Sequence, residues 1–368
     1  MNRFVAFLKR KNIVISFKRY GLDALGAMAQ GLFCTLLVGT ILNTLGQQLH
    51  IGFLTEPIVT IGTGEGAAVY TIGGLASAMV GPGIAVAVGA ALVCPPLALF
   101  SLIPVGFAAN AIAGAGGPLA VYLVTIVAAE LGKLVSKETR VDILITPCVT
   151  VLSGIALALI IARPIGQAAQ AVGYAIMWAT ELQPFFMGIL VSVIIGMALT
   201  LPISSAAICA AFGLTGLAGG AAVAGCCAQM VGFAVMSFKE NRWGGLVAQG
   251  VGTSMLQMPN ILKNPRIWIP PTVASMITGP LATCLFKLEM NGAPVSSGLG
   301  TCGFVGQIGV YTGWVNDVAA GTKAAISAFD WIGLALICFI LPAVISWTIC
   351  EVMRRCGQIA EGDLKLDL

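Results

Sequence analysis

The sequence carries very little charge. Lysine, arginine, aspartate and glutamate together make up 9% of its 368 residues, whereas soluble domains carry about 25%. Hydrophobic residues make up 58%, and the mean hydropathy is +0.97. So few charges cannot solvate the surface of a globular protein, and much of the apolar surface must face lipid. The composition therefore predicts an integral membrane protein and excludes an ordinary soluble enzyme.

The patterns that mark catalytic and metal sites are also missing. The chain has one histidine, His50, and none of its 11 cysteines forms a CxxC pair. The cysteines lie mostly in apolar stretches, so we interpret them as small apolar residues and expect no metal site and no cofactor. The GTGEG stretch at residues 62–66 lacks the Gly-Lys-Ser/Thr ending of a phosphate-binding loop, so a turn or re-entrant tip is the better interpretation. We identify no catalytic residues.

Positive charge concentrates at the two ends of the sequence. Residues 1–20 contain six of the 19 lysines and arginines, and Arg354 and Arg355 follow the last apolar run. Because basic flanks stay in the cytoplasm, both termini are predicted to be cytoplasmic in the cell membrane, which requires an even number of spans. The basic N-terminus is interpreted as this topogenic flank. Binding to anionic headgroups or nucleic acid is the alternative, although no nucleic-acid partner is expected.

Long uncharged runs must fold back inside the membrane. No residue from Gly66 to Ala129 is charged, and as one helix this run would be about three times as long as the hydrocarbon core is thick. We predict an all-α polytopic membrane protein with about ten transmembrane helices and re-entrant hairpins. The first six spans are expected at residues 22–46, 68–92, 96–113, 118–135, 143–162 and 182–201. Between and after them, residues 50–66 should be external or re-entrant, 163–181 an interfacial helix, and 202–238 a stretch that turns on its glycines.

Two polar, glycine-rich segments are poor candidates for lipid-facing helices. Residues 250–260 read GVGTSMLQMPN, and residues 291–311 combine hydroxyls, amides and many glycines. Irregular backbone persists at membrane depth only where protein buries it or where it lines a cavity. We therefore expect the polar side chains of both segments to line a cavity. The glycines that recur every third residue from Gly300 to Gly309 are interpreted as a helix-packing ridge.

The stretch from Gly250 to Pro271, GVGTSMLQMPNILKNPRIWIPP, resembles the signature of the membrane-embedded EIIC subunits of the sugar phosphotransferase system. The pairs at residues 264–265 (Asn-Pro) and 269–270 (Ile-Pro) keep the order of that signature. Residues 272–287, 291–311 and 331–350 then follow the family order of span, polar hairpin and span. Residues 181–207 resemble the PfoR-type (perfringolysin regulator) branch of EIIC-like proteins.

The resemblance implies a fold, an assembly and partners. It implies a single EIIC-like transmembrane domain at residues 21–353, between a basic cytoplasmic N-terminus at 1–20 and a cytoplasmic tail at 354–368. A homodimer is expected, as is a carbohydrate that moves across the membrane. Separate phosphocarrier proteins would be the partners, and the chain would be at most the channel subunit of such a system.

The sequence departs from that family in three respects. The acidic residue expected on the re-entrant tip falls near Thr253, the histidine of sugar-specific members is absent from the cavity region, and no phosphocarrier domain is fused. These departures weaken sugar phosphorylation as the activity, but neutral hydroxyls and amides still bind polyols through hydrogen bonds. We expect transport of a small polar solute, with a carbohydrate as its class, by alternating access. The alternative is a PfoR-like membrane sensor or regulator that binds a ligand or partner without transport.

Uncharged polar residues at membrane depth define the candidate solute site, because lipid offers them no hydrogen-bond partner. A role in capping broken helix ends is the alternative. Two ionisable residues are also candidates: Glu65 lies between glycines, whereas Glu130 is expected to pair with Lys133 at the membrane interface. The predicted substrate-binding residues are Thr253, Ser254, Gln257, Asn260, Gln229, Ser204, Ser205 and Glu65.

Overall fold

The structure is a computed structural model that describes residues 3–49, 51–62 and 67–366. It is 79% helical, which confirms the predicted all-α class. Within the described ranges the only sheet is a two-stranded antiparallel hairpin, Val59–Ile61 with Ala68–Tyr70. The chain forms two compact units, Met1–Ala168 and Ala169–Leu368. His50 and the candidate site residue Glu65 lie outside the described residues.

The N-terminal unit consists of helices and the short hairpin. Pro96–Ala113 and Gly117–Val135 match the two predicted spans closely, and they pack side by side after a tight turn at Gly114–Gly116. Gly114 adopts a left-handed φ of 55°, a conformation that glycine takes at little cost. The helices are Arg3–Arg10, Lys18–Ala24, Leu25–Leu32, Phe33–Leu37, Val38–Gln48, Gly52–Thr55, Ile72–Ala78, Val80–Ala91, Pro96–Ala113, Gly114–Gly116, Gly117–Val135 and Asp142–Thr180, the last of which continues into the second unit.

A buried ion pair lies inside the N-terminal unit. Lys133 Nζ lies 2.8 Å from Glu130 Oε2, which confirms the predicted pairing. The pair does not sit at an exposed interface, however, because the Lys133 side chain is only 1% exposed. Its ammonium group also donates to the carbonyl oxygens of Asn12 (3.2 Å) and Leu92 (3.0 Å). The sequence predicted Lys133 at the membrane interface, whereas tertiary packing buries its ammonium group inside the protein.

The interfacial helix predicted at residues 163–181 is wrong. Asp142–Thr180 is one continuous helix that runs through Arg163 and Pro164. A single arginine, exposed on the helix surface, does not end a helix. The break comes instead at Gln183, whose extended backbone (ψ 147°) is the conformation favoured before a proline, here Pro184.

The C-terminal unit packs its helices around one deeply buried helix, Gly216–Met236, in which 18 of the 21 residues are buried. Pro184–Thr200, Ile269–Pro280 and Leu341–Arg355 all contact it. The helices of this unit are Pro184–Thr200, Ser205–Ala211, Gly216–Met236, Phe238–Val247, Ala248–Gly252, Ser254–Gln257, Met258–Lys263, Pro265–Trp268, Ile269–Pro280, Leu281–Leu285, Pro294–Gly298, Cys302–Phe304, Val305–Ala319, Ala328–Ala335, Leu336–Ile340 and Leu341–Arg355.

The interpretation of the recurring glycines as one helix ridge is also wrong. Gly300 and Gly303 have φ values of 52° and 51°, so they are left-handed turn residues. The regular helix Val305–Ala319 begins only after them and holds Gly306 and Gly309. The first two glycines therefore serve backbone turns, and Gly300 also packs closely against the central helix, since a Cβ on it would lie 2.6 Å from Cys226 Cβ.

Several helices are long and apolar enough to cross a membrane. By length and composition the described part of the chain has five such helical stretches, namely Lys18–Gln47, Pro96–Val135, Asp142–Thr180, Gly216–Met236 and Ala328–Arg355. Pro96–Val135 contains the two helices on either side of the Gly114 turn. A sixth is the pair Ile72–Ala78 and Val80–Ala91, bent by 54°, if the pair crosses as one broken span. Other apolar helices, such as the 17-residue Pro184–Thr200, are shorter. The polytopic membrane fold is confirmed, while the count of about ten spans stays a prediction.

Candidate functional site

Close packing positions the central helix Gly216–Met236. A Cβ atom on Gly225 would lie 1.9 Å from the carbonyl oxygen of Ser192 on the neighbouring helix. Only a residue without a side chain allows two backbones to approach this closely. One turn further along, the same helix carries Gln229, which is 0% exposed. The helix contact therefore sets the depth and direction of the Gln229 carboxamide.

Gln229 is the centre of a buried polar network. Its Oε1 accepts a hydrogen bond from Trp268 Nε1 at 2.9 Å, and its Nε2 donates to Thr272 Oγ1 at 3.4 Å. Thr200 Oγ1 also approaches Gln229 Oε1, at 3.4 Å. The same hydroxyl lies 2.8 Å from Ser254 Oγ. The network therefore joins four helical segments to the broken segment through uncharged hydrogen-bonding groups.

The broken segment, residues 248–263, contains three short helical turns. A π-helical turn, Ala248–Gly252, ends at Thr253, whose backbone is extended (φ −158°). The Thr253 hydroxyl accepts a hydrogen bond from Met255 N at 3.2 Å. The next two turns, Ser254–Gln257 and Met258–Lys263, follow without a regular helix of span length. Thr253 therefore caps a broken helix end in this conformation, as the alternative interpretation of the sequence predicts.

A second set of amides lies along the same segment. Gln257 Nε2 donates to Gln249 Oε1 at 2.9 Å, and Asn260 Nδ2 donates to Gln257 Oε1 at 2.9 Å. Gln249 Nε2 in turn donates to Ser237 Oγ at 2.8 Å. Gln249 and Gln257 are both 0% exposed. This amide chain runs in one direction, because each carbonyl oxygen accepts from the amide that follows it along the sequence.

The tail segment, residues 356–366, folds back onto these amides. Gln257 Nε2 also donates to the carbonyl oxygen of Leu364 at 3.0 Å. Asn260 Nδ2 likewise donates to the carbonyl oxygen of Lys365 at 2.8 Å. The tail also contacts Asn264, the residue that follows the broken segment. Asn264 Nδ2 donates to the Asp363 carboxylate at Oδ2, at 2.7 Å. The tail segment is thus a direct partner of the candidate site.

The structure brings together five of the predicted site residues and separates two others from them. Ser254 and Gln229 share the Thr200 hydroxyl, while Thr253, Gln257 and Asn260 lie on the broken segment beside them. The remaining two hydrogen-bond elsewhere in the same unit. Ser204 caps the helix Ser205–Ala211 through the backbone N–H of Ala207, at 3.2 Å, and Ser205 Oγ donates to the carbonyl oxygen of Gly298 at 2.7 Å.

Four further residues take part in these two hydrogen-bonded groups but are not among the substrate-binding residues predicted from the sequence. They are Thr200, Gln249, Trp268 and Thr272. Each is an uncharged hydrogen-bonding residue close to a glycine or proline break, which is the signal that selected Gln257. Beside Trp268 and Thr272 lies an open, mainly apolar surface groove of about 230 Å³, which is also lined by Met197, Ile269 and Val273.

One polar atom in the other predicted cavity segment has no partner. Gln307 lies on Val305–Ala319 and donates through Nε2 to Cys227 Sγ on the central helix at 3.1 Å. Its Oε1 is buried and accepts no hydrogen bond. An unpaired buried acceptor costs about 1–3 kcal/mol, and such groups are retained mainly where they have a function or a transient partner. Gln307 is therefore a further polar residue that faces the central helix.

The chemistry of this site is that of recognition. Hydroxyl and carboxamide groups donate and accept hydrogen bonds but offer no strong nucleophile and no general base. The described residues contain no group of three or more histidine, cysteine, aspartate or glutamate side chains that could hold a metal ion. The groups around Gln229 are uncharged, whereas the end of the broken segment carries Lys263, whose Nζ lies 3.5 Å from Asn260 Oδ1.

Fold and site together define a polytopic all-α membrane protein with a buried polar site. The family model described as "Phosphotransferase system, EIIC" matches residues 22–366. The chain therefore belongs to the EIIC family of the phosphotransferase system, a family of sugar-transport-type membrane proteins with phosphotransferase partners. This confirms the resemblance carried by residues 250–271, while the likeness to the PfoR-type branch stays a prediction. No curated protein and no solved structure matches the chain.

Proposed function

We propose that the chain moves a carbohydrate or similar polyol across the membrane by alternating access. The observation that carries this proposal is the uncharged network around Gln229 and the broken segment. A sugar presents many hydroxyls and no net charge. Amide and hydroxyl side chains can donate hydrogen bonds to these hydroxyls and accept hydrogen bonds from them. Each hydrogen bond contributes about 0.5–1.5 kcal/mol, which permits moderate affinity and ready release.

The broken segment also suits a carrier mechanically. Short helical turns joined by an extended residue at Thr253 have fewer internal hydrogen bonds than a continuous helix, so the segment changes conformation at lower cost. In this conformation its hydroxyls and amides bind one another and the tail segment. Access to a solute then requires a second arrangement in which some of these bonds are exchanged, as alternating access implies.

The site assignment predicts a specific effect of removing single polar groups. Thr253→Val and Gln257→Leu keep the approximate volume but remove the hydrogen-bonding groups. In proteoliposomes, uptake of a panel of radiolabelled hexoses, pentoses and polyols should fall by roughly tenfold or more in each variant. Thr348→Val is the matched control, because its exposed hydroxyl bonds only to the carbonyl oxygen of Val344 on its own helix.

The same experiment separates the alternatives. Intact uptake in both folded variants contradicts the site assignment, and loss of folding in Thr253→Val favours the capping role. A protein that binds a sugar but releases none across the bilayer supports the PfoR-like regulator. The observation that favours this second candidate is the occupation of Gln257 and Asn260 by the chain's own backbone.

The two ends of the chain are expected on the same side of the membrane. The motivation is the lysines and arginines at residues 3–19 and at Arg354 and Arg355, since basic flanks are retained in the cytoplasm. Reporter domains fused to each end, one active only in the cytoplasm and one only outside, measure this directly. Cytoplasmic activity is expected at both ends, and opposite sides would contradict the even span count.

Three further predictions accompany the proposal. The chain is expected to act as a homodimer and to receive phosphoryl groups, if any, from separate phosphocarrier proteins. Residues 21–353 are expected to act as one transport domain between the basic N-terminus and the tail. Ser204, Ser205 and Glu65 stay predicted substrate-binding residues of the same site.

A further inference from the structure

Four side-chain amides hold the tail segment, and they do so mainly through its backbone. Asn241 Nδ2 donates to the carbonyl oxygen of Leu364 at 2.7 Å, and Asn241 Oδ1 accepts from Leu366 N at 2.8 Å. Gln257 and Asn260 add the bonds to the carbonyl oxygens at positions 364 and 365. Asn264 Nδ2 donates to the carbonyl oxygen of Gln358 at 3.1 Å. We call these four residues, Asn241, Gln257, Asn260 and Asn264, the amide cradle.

The tail segment is anchored by two apolar side chains and bounded by glycines. Ile359 is 2% exposed and Leu364 is 0% exposed, so both insert into the protein. Gly357 and Gly362 have φ values of 69° and 93°, and no atom lies near the position of a Cβ on either. Glycines in these conformations let the chain turn sharply after the helix that ends at Arg355. The segment is therefore a short loop held by two buried apolar side chains and by the hydrogen bonds of the amide cradle.

Docking of the tail segment consumes the hydrogen-bond donors that a solute would need. A carboxamide has two N–H groups. Gln257 donates to Gln249 and to Leu364, while Asn260 Nδ2 donates to Gln257 and to Lys365. Both donors of each amide are thus engaged when the tail segment is in place. A sugar hydroxyl cannot accept from either amide until the tail segment leaves.

We propose that the amide cradle is a peptide-binding surface whose occupant is the tail segment, and that this segment is a displaceable latch that closes the candidate site. The proposal rests on the proposed function in one respect, since the site it closes is the one assigned to the solute. Release of residues 356–366 frees one N–H on Gln257 and one on Asn260. The docked segment contacts the broken segment at Gln257 and Asn260.

The test uses the full-length protein and a probe that requires no knowledge of the solute. Thr253→Cys is introduced as a reporter, and its labelling by a water-soluble maleimide is read by peptide mass spectrometry, which distinguishes it from the native cysteines. Leu364→Asp should release the latch, because it places a carboxylate at a fully buried position. Lys365→Asp is the matched control, because it places the same group on an exposed side chain whose backbone alone contacts the cradle.

A locked variant gives the opposite perturbation. Asn264→Cys and Asp363→Cys replace two side chains in contact, and a short reducible thiol cross-linker joins them. Labelling at position 253 should rise about tenfold or more in Leu364→Asp and fall below the wild-type rate in the cross-linked protein. Any sugar uptake should stop on cross-linking and return on reduction. Should Leu364→Asp fail to fold, Asp363→Ala weakens the latch from its half-exposed side.

The outcomes separate the latch from transport itself. Unchanged labelling in Leu364→Asp, with release verified by tryptic cleavage after Lys365, would overturn the latch and leave the transport proposal standing. Undiminished uptake in the cross-linked protein would overturn it as well. Labelling that responds to both perturbations, in a protein that takes up none of the sugars, supports the latch and counts against transport.

Discussion

Replacing Lys133 by methionine is expected to destabilise the N-terminal unit by about 3–5 kcal/mol, the usual result of removing one partner from a buried ion pair. The ammonium group holds together a buried carboxylate and two backbone carbonyls, on Glu130, Asn12 and Leu92. Without it, Glu130 retains only the hydroxyl of Tyr20, which donates to its Oε1 at 3.0 Å. The measurement is thermal unfolding of the purified protein in detergent.

Two controls make this expectation specific to the buried pair. Lys137→Met removes an exposed lysine four residues further on and should change stability by less than about 0.5 kcal/mol. The double variant Glu130→Gln/Lys133→Met removes both charges and should be more stable than Lys133→Met alone, since no uncompensated charge remains. Equal stabilities of Lys133→Met and Lys137→Met would show that the pair contributes nothing.

Replacing Gly225 by alanine is expected to have a comparable effect on the C-terminal unit. The added Cβ would lie 1.9 Å from the Ser192 carbonyl oxygen, and that atom belongs to backbone which cannot rotate away. The helix must shift, and overpacking of this kind typically costs about 1–3 kcal/mol, with larger costs in some cases. Because Gln229 lies one turn further along this helix, the shift should also separate its carboxamide from Trp268 and Thr272.

Gly244→Ala is the matched control for this substitution. No atom lies within 4 Å of the Cβ position at Gly244, which is an exposed helical glycine. Alanine there should be neutral or stabilising by about 0.5–1 kcal/mol, because it favours the helix. Unfolding temperature and sugar uptake are measured for both variants. Equal unfolding temperatures of Gly225→Ala and Gly244→Ala would contradict a functional close approach of Gly225 to the Ser192 backbone.

The resemblance to EIIC subunits implies an acidic residue near position 253, where this chain has none. Thr253 and Gln257 provide neutral groups there, and the carboxylate that reaches the broken segment comes from Asp363 on the tail segment, through Asn264. A charge supplied by a displaceable segment differs from one built into the site, because it leaves when the segment leaves. The broken segment also carries a charge of its own in Lys263, whose Nζ lies 3.5 Å from Asn260 Oδ1.

The sequence by itself determined the class of protein, the hairpin at Gly114 and the burial of several uncharged polar residues. A charge deficit demands a membrane whatever the fold, and glycine and proline act on the backbone within a few residues. The same local signals identified Thr253, Gln257 and Gln229 as buried polar residues. They could not predict the continuous helix through Arg163 or the left-handed turn at Gly303.

Tertiary structure alone decided the partners of those residues. Gln257 and Asn260 bind the backbone of residues 364–365, which lies more than a hundred positions away and carries no pattern that marks it as a ligand for an amide. Lys133 is buried because carbonyl groups from distant loops converge on it. Hydropathy and backbone preferences act locally, whereas hydrogen-bond pairing depends on which distant segments packing brings together.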